Sequence, residues 1–232
     1  MGTVTYPEPR PRNIQLPLAP MQLELTMIDR NNPFPDLKKI FSSFLGTQDT
    51  GQMFNKRIPK GLRELYQIHE SYSIIKPKHT LFCNQDNLLL PSEIKGDPYF
   101  DFLIENQSCW KCETEMGQDN PRVYIHQAES IDIEGRQVIN DSLDQFLTTY
   151  ALQELILELG FSHNEHFPIG NILNSKLKVE ELWIDASYTW GNSNRYSFWL
   201  IEGNCLMMKC SIHYIGTNDK QRFDQITKLL DK

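Results

Sequence analysis

The segment from Ser142 to Gly160 constrains the fold most. Ser142 and Gln145, three positions apart, form a capping-box pattern that satisfies orphan N–H groups at the start of a helix. Leu143, Phe146, Leu147, Tyr150, Leu152, Leu155, Ile156 and Leu159 continue at helical spacing until Gly160 ends the run. This long helix divides the chain into a half that runs helices then strands and a half that runs strands then a helix.

Upstream, residues 1 to 30 form a proline-rich leader. Pro7, Pro9, Pro11, Pro17 and Pro20 oppose regular helix or central strand, so the leader is expected to be extended or mobile. Pro33 and Pro35 open a helix from Asp36 to Leu45 with Leu37, Ile40, Phe41, Phe44 and Leu45 on one side and Gly46 at its end. Pro59 to His69 is a second helix, with Leu62, Leu65, Tyr66 and His69 building one buried face. These two helices are expected to pack together on a sheet. Short apolar runs separated by turn residues then predict strands at Thr80–Cys83, Tyr99–Ile104, Ser108–Glu113 and Val123–Ile125, with a further one within Ile131–Ile139. Beyond the long helix, a loop passes through Pro168 and Gly170. Strands are predicted at Glu181–Thr189, Tyr196–Ile201 and Cys205–Ile212, and Asn218 with Gln221 opens a last helix to Leu230.

This order predicts an α+β class: N-terminal helices packed on a mixed, largely antiparallel sheet, a long central helix, and a C-terminal strand–strand–helix extension. With 232 residues the chain can bury one core without disulfides or metals. We therefore expect a single domain over 31–232, with a core of about 31–160 and the extension over about 170–232.

A formal net charge of -7 opposes non-specific binding to nucleic acid or to anionic lipid, both of which favour a basic surface. A basic protein is the natural electrostatic partner. No apolar run approaches the roughly 18–20 residues of a membrane span, and the N-terminus lacks the order of a signal peptide. The expected location is the cytoplasm, with no membrane association and no direct nucleic-acid contact. Five scattered cysteines do not resemble a disulfide framework and read as reduced thiols.

Candidate chemistry is sparse. Cys109-x-x-Cys112 is half of a zinc site, but residues three apart on a strand point to opposite faces. His163-x-x-His166 departs from the helical His-Glu-x-x-His pattern and reads as an exposed loop. His69, His79, His126 and His213 stand singly. The chain contains no glycine-rich phosphate loop and no Gly-x-Ser-x-Gly elbow. The expectation is a non-enzyme with no catalytic residues, no cofactor and no metal. The Glu105-Asn106-Gln107 triplet reads as a turn whose polar side chains bond to backbone, and Trp110 as a core anchor.

Four strings occur in order: KGLRELYQIHES, LLLPSEIKGDPYFDFLIENQSCWKC, DNPRVYIHQ and NDSLDQFLTTYALQELILEL. Together they resemble the SUKH superfamily, which includes a yeast cell-wall synthesis regulator and many bacterial immunity proteins. The resemblance covers roughly 30 to 160 and is carried by Glu105, Asn106, Gln107, Trp110 and Pro121, all read as structural. Where the family has an aromatic-Gly-Ile-like segment after the triplet, this chain has Lys111-Cys112-Glu113-Thr114.

The resemblance implies an immunity protein that binds and neutralises a cognate bacterial toxin domain, a nuclease or deaminase, by occlusion. The alternative it implies is a non-enzymatic regulatory scaffold for endogenous proteins. Between Glu105 and Arg136, seven acidic residues face three basic ones. Glu113, Glu115, Asp119, Glu129, Asp132 and Glu134 are the candidate partner-binding carboxylates, although a solvated face of turns and strand edges is the commoner meaning of such charges.

Overall fold

The computed structural model describes residues 27–127, 136–188 and 195–230. The class is α+β, built from helices and two antiparallel sheets of five strands each. Helices α1 (Phe34–Leu45) and α2 (Lys60–Ile75) precede β1 (Asp86–Leu88), β2 (Tyr99–Glu105), β3 (Trp110–Glu115), β4 (Val123–Gln127) and β5 (Gln137–Asn140). These strands form the first sheet as a meander in chain order. The central helix α3 (Leu143–Glu158) leads to β6 (Phe161–Glu165), the short α4 (Ile169–Leu173), β7 (Val179–Ala186), β8 (Tyr196–Ile201), β9 (Cys205–Lys209), β10 (His213–Thr217) and α5 (Lys220–Leu230). The second sheet has the order β6-β10-β9-β8-β7.

The start of α3 forms one half of the predicted capping box, and the Ser142 N–H donates to Asn140 Oδ1 at 3.0 Å rather than to the Gln145 side chain. The Ser142 hydroxyl accepts the Gln145 N–H at 3.2 Å, and the loop before β4 contributes too. Asn120 Oδ1 accepts the Asp144 N–H at 2.9 Å, and the Pro121 carbonyl accepts the Leu143 N–H at 2.8 Å. Pro121 is thus a structural residue that ties the first sheet to the central helix.

Apolar side chains surround α3 on every side, so it is covered all round. Phe146 meets Phe102 of β2 edge to face at 5.8 Å, and the Trp183 indole N–H of β7 donates to Thr149 Oγ1 at 2.9 Å. At its C-terminal end, Lys76 pairs with the buried Glu158 at 3.5 Å. Gly216 of β10 lies so close that a Cβ there would sit 2.8 Å from the Ile156 carbonyl oxygen. One continuous hydrophobic cluster joins α1, α2, the inner face of the first sheet, α3 and one face of the second sheet.

The second sheet is buried on both faces. Phe198, Leu200, Leu206 and Met208 face α3, whereas Trp199, Ile201, Cys205 and Met207 alternate to the other side and pack with Ile172 of α4 and Ile226 of α5. This explains why β8 and β9 read as continuous apolar runs.

Several boundaries differ from expectation. Thr80–Cys83 is not a strand; Phe82 turns there with φ 66°, and the first strand is the later Asp86–Leu88. Helix α2 continues past His69 to Ile75 and stops just before Pro77, which disfavours helical geometry in the residue preceding it. The predicted strand Cys205–Ile212 is β9 followed by a tight turn, with β10 beyond it. The strand–strand–helix extension is instead a full sheet, because Phe161–Glu165, read as loop, pairs with β10. The loop through Pro168 and Gly170 contains α4.

Asp219 rather than Asn218 caps α5, accepting the Arg222 N–H at 3.0 Å. Asn218 instead binds the Gly160 N–H at 3.0 Å and the Phe44 carbonyl at 2.7 Å, stapling the ends of α3 and α1 together. The end of the leader is anchored: Ile28 is buried, its N–H donates to the Leu182 carbonyl at 3.0 Å, and Arg30 lies over the Trp183 ring.

Candidate functional site

The β2–β3 turn carries the Glu105-Asn106-Gln107 triplet. The Glu105 carbonyl accepts the Ser108 N–H at 2.7 Å, Ser108 takes φ 59°, and Glu105 Oε2 accepts the Cys109 N–H at 3.1 Å. Glu105 therefore ties the turn by a side-chain bond to backbone, as expected of a short polar loop. Asn106 and Gln107 are exposed at the tip.

The acidic candidates fall into different environments. Glu113 is only 6% exposed and points into an ion pair with Arg136 at 2.6 Å, so it offers no free charge to a partner. Burial pushes its carboxyl up, while Arg136 opposes the shift. Glu115 is half-buried and accepts Gln118 Nε2 at 2.7 Å, whereas Asp119 is exposed on the β3–β4 turn. Glu129, Asp132 and Glu134 lie outside the described residues. On the same face, Asp101 bonds His126 Nε2 at 3.0 Å and Lys111 at 3.2 Å. Arg136 also lies over the Tyr99 ring at 4.6 Å.

The cysteine and histidine pairs separate in space or serve packing. Cys112 is buried in the sheet while Cys109 is exposed in the turn. His163 lies on β6 rather than in a loop, and its ring stacks on Phe167. His69 Nδ1 meets the Leu81 carbonyl at 3.2 Å, and His213 Nδ1 meets that of Phe167 at 2.8 Å. Among the described residues no cluster of three or more His, Cys, Asp or Glu is arranged to hold a metal, and no described helix is long and apolar enough to cross a membrane.

A cleft of about 270 Å³ opens where the β1 edge of the first sheet meets β8, β9 and β10 of the second, over α3. Trp110, Tyr188, Tyr196 and Tyr214 supply aromatic surface, and Asp86, Glu105 and Gln153 supply polar groups. Trp110 is half-buried here, packing against the core with one side and lining the cleft with the other. Asp86 and Glu105 are register partners on the antiparallel strands β1 and β2.

Asp86 is 2% exposed. Its Oδ2 accepts the Tyr188 hydroxyl at 2.5 Å, while Oδ1 makes no close hydrogen bond and the carboxylate has only a long contact from the Asn106 backbone N–H besides. Burial pushes this carboxyl up to about 6, against the Tyr188 hydrogen bond that favours its ionised form. Behind it, Glu154 of α3 accepts the backbone N–H groups of Asn84 at 2.6 Å and Gln85 at 2.8 Å, and that of Asp86 more weakly at 3.4 Å. Burial nonetheless pushes Glu154 up to about 7. Tyr150 adds a hydroxyl donor to the Phe82 carbonyl at 2.8 Å. A helix side chain thus clamps the bend that leads into β1 and places Asp86 at the cleft.

The sequence reading missed Asp86, Gln153, Glu154 and the three tyrosines. A signal existed for two of them: Gln153 and Glu154 sit in a helix with apolar neighbours on every side, so both had to be buried and to need partners. Nothing local marked Asp86 or the tyrosines, which lie on three different strands and on the segment that follows β7. No family model, curated protein or solved structure matches this chain.

Proposed function

We propose that this chain is an immunity protein of the SUKH type that binds and neutralises a cognate bacterial toxin domain by occlusion. The strings behind the resemblance lie on α2, β1 to β4 and α3, the half of the molecule that carries the β3–β4 turn and one wall of the cleft. The observation that carries the reading is charge: in a chain of net charge -7, Asp119 is exposed on that turn with Glu115 beside it. A toxin acting on nucleic acid presents a basic surface, and an acidic inhibitor gains association rate from steering.

The test is co-expression with the C-terminal domain of the neighbouring open reading frame, scored by growth and by co-purification. Rescue with a stable complex is the expected result; toxicity without rescue overturns the proposal. In that complex, the double reversal Glu115→Lys and Asp119→Lys should slow association about tenfold at low salt and leave dissociation nearly unchanged. Unchanged association would remove the turn from the interface.

A further inference from the structure

The cleft between the sheets holds an electrostatic imbalance that the fold itself does not resolve. Asp86 and Glu105 stand directly opposite each other on β1 and β2, an arrangement of like charges that destabilises a strand pair. Among the described residues neither carboxylate forms an ion pair, and no lysine or arginine lines the cleft. At the same place Oε1 of Gln153, a side chain only 5% exposed, is buried and unpartnered, and the Asp86 carboxylate beside it is met only by the Tyr188 hydroxyl and a long contact from the Asn106 backbone N–H. A buried acceptor left unsatisfied is costly, so a donor supplied from outside gains what the fold has forgone.

The walls narrow the identity of that donor. Trp110, Tyr196 and Tyr214 present ring surface to the cleft. Aromatic faces attract cations, and a planar guanidinium combines stacking with in-plane donors that fork onto a carboxylate and an amide oxygen. An ammonium holds its hydration more strongly and offers no plane to stack. The volume of about 270 Å³ falls just below the range of roughly 300–1,000 Å³ typical of drug-sized ligands and suits a single side chain. From this geometry we infer that the cleft is a guanidinium socket, in which Asp86, Glu105 and Gln153 accept from the cation and Trp110, Tyr196 and Tyr214 flank its plane.

The probe is Nα-acetyl-arginine amide, titrated into the full chain and followed by backbone and indole NMR shifts. The matching lysine amide, the neutral isostere Nα-acetyl-citrulline amide, and calcium and sodium chloride serve as comparisons. Saturable shifts at Trp110 and at the residues of β1 and β10 are expected, with arginine at least about tenfold tighter than citrulline or lysine, as loss of one charge-assisted hydrogen bond implies. Equal responses to arginine, citrulline and lysine overturn the socket, as does saturation by calcium alone.

Asp86→Asn should weaken arginine binding about tenfold or more while its remaining oxygen still accepts from Tyr188. Should that variant fail to fold, Glu105→Gln at the rim carries the same test; full retention of binding by a folded variant overturns the assignment. Tighter binding of the blocked amide than of free arginine assigns the group to a polypeptide side chain, and the reverse assigns it to a free small molecule. Either result supports the socket. The inference rests on the cleft and not on the toxin reading: arginine binding without toxin rescue removes only the latter, and rescue without arginine binding removes only the former.

Discussion

Glu154 makes a pH dependence of stability that a single substitution should erase. Its carboxylate lies fully buried on α3 and faces the backbone N–H groups of residues 84 to 86, the Tyr150 hydroxyl and the Asp86 carboxyl. Burial raises its pKa from 4.5 to about 7, so between these values the folded state holds a proton that the unfolded state has released. Stability from this group is therefore fully present below about pH 4.5 and is lost as pH rises to about 7, after which the loss is constant. At 1.36 kcal/mol per pH unit, the full loss is roughly 3 kcal/mol.

Glu154→Gln removes the titration. The amide oxygen replaces only one of two accepting oxygens, so the variant carries a fixed penalty, but that penalty does not vary with pH. Urea unfolding of both proteins, followed by tryptophan fluorescence from pH 5 to pH 8.5, measures the difference directly. The variant should gain on the wild type by about 2–3 kcal/mol across that range, with most of the gain below pH 7.5 and slopes against urea unchanged. Asp86, itself pushed up to about 6, titrates in both proteins and largely cancels in the difference. Parallel pH profiles would refute the account of a buried, partly protonated Glu154.

Two further substitutions test the packing around α3. Ala normally outperforms Gly inside a strand, yet Gly216→Ala should destabilise by about 1–3 kcal/mol, because its Cβ would meet the Ile156 carbonyl oxygen at 2.8 Å and backbone cannot swing aside; a raised midpoint in thermal unfolding would contradict this. Trp183→Phe should destabilise by about 2 kcal/mol through the lost bond to Thr149 Oγ1 and the space left behind. A double-mutant cycle with Thr149→Val should return a coupling of about 1 kcal/mol, and strict additivity would show that the bond adds nothing.

Local chemistry was legible wherever a residue acts on its own neighbours. Ser142 and Gln145 announced the start of α3, Gly46 ended α1 where the left-handed conformation was needed, and the Glu105 triplet marked a turn that its own side chain ties. The α+β class followed from the order of such elements. What lay beyond reach was any property set by coverage. The outer face of the second sheet is buried by α4 and α5, so its strands show no alternation, and Phe161–Glu165, with no apolar pattern, becomes a strand only because β10 pairs with it. Charge behaved the same way: Glu113 and Asp119 look alike in a sequence, but Arg136 turns one inward while the other meets water.

The cleft belongs wholly to the tertiary structure. Asp86 faces Glu105 across a strand register, Gln153 arrives from a helix some fifty residues later, and the tyrosines come from the second sheet and from the segment just after β7. Sequence by itself determines which backbone conformations are cheap and which residues must leave water. Only the packed chain decides which polar groups are stranded together, because desolvation and pairing depend on neighbours that the chain brings in from far away.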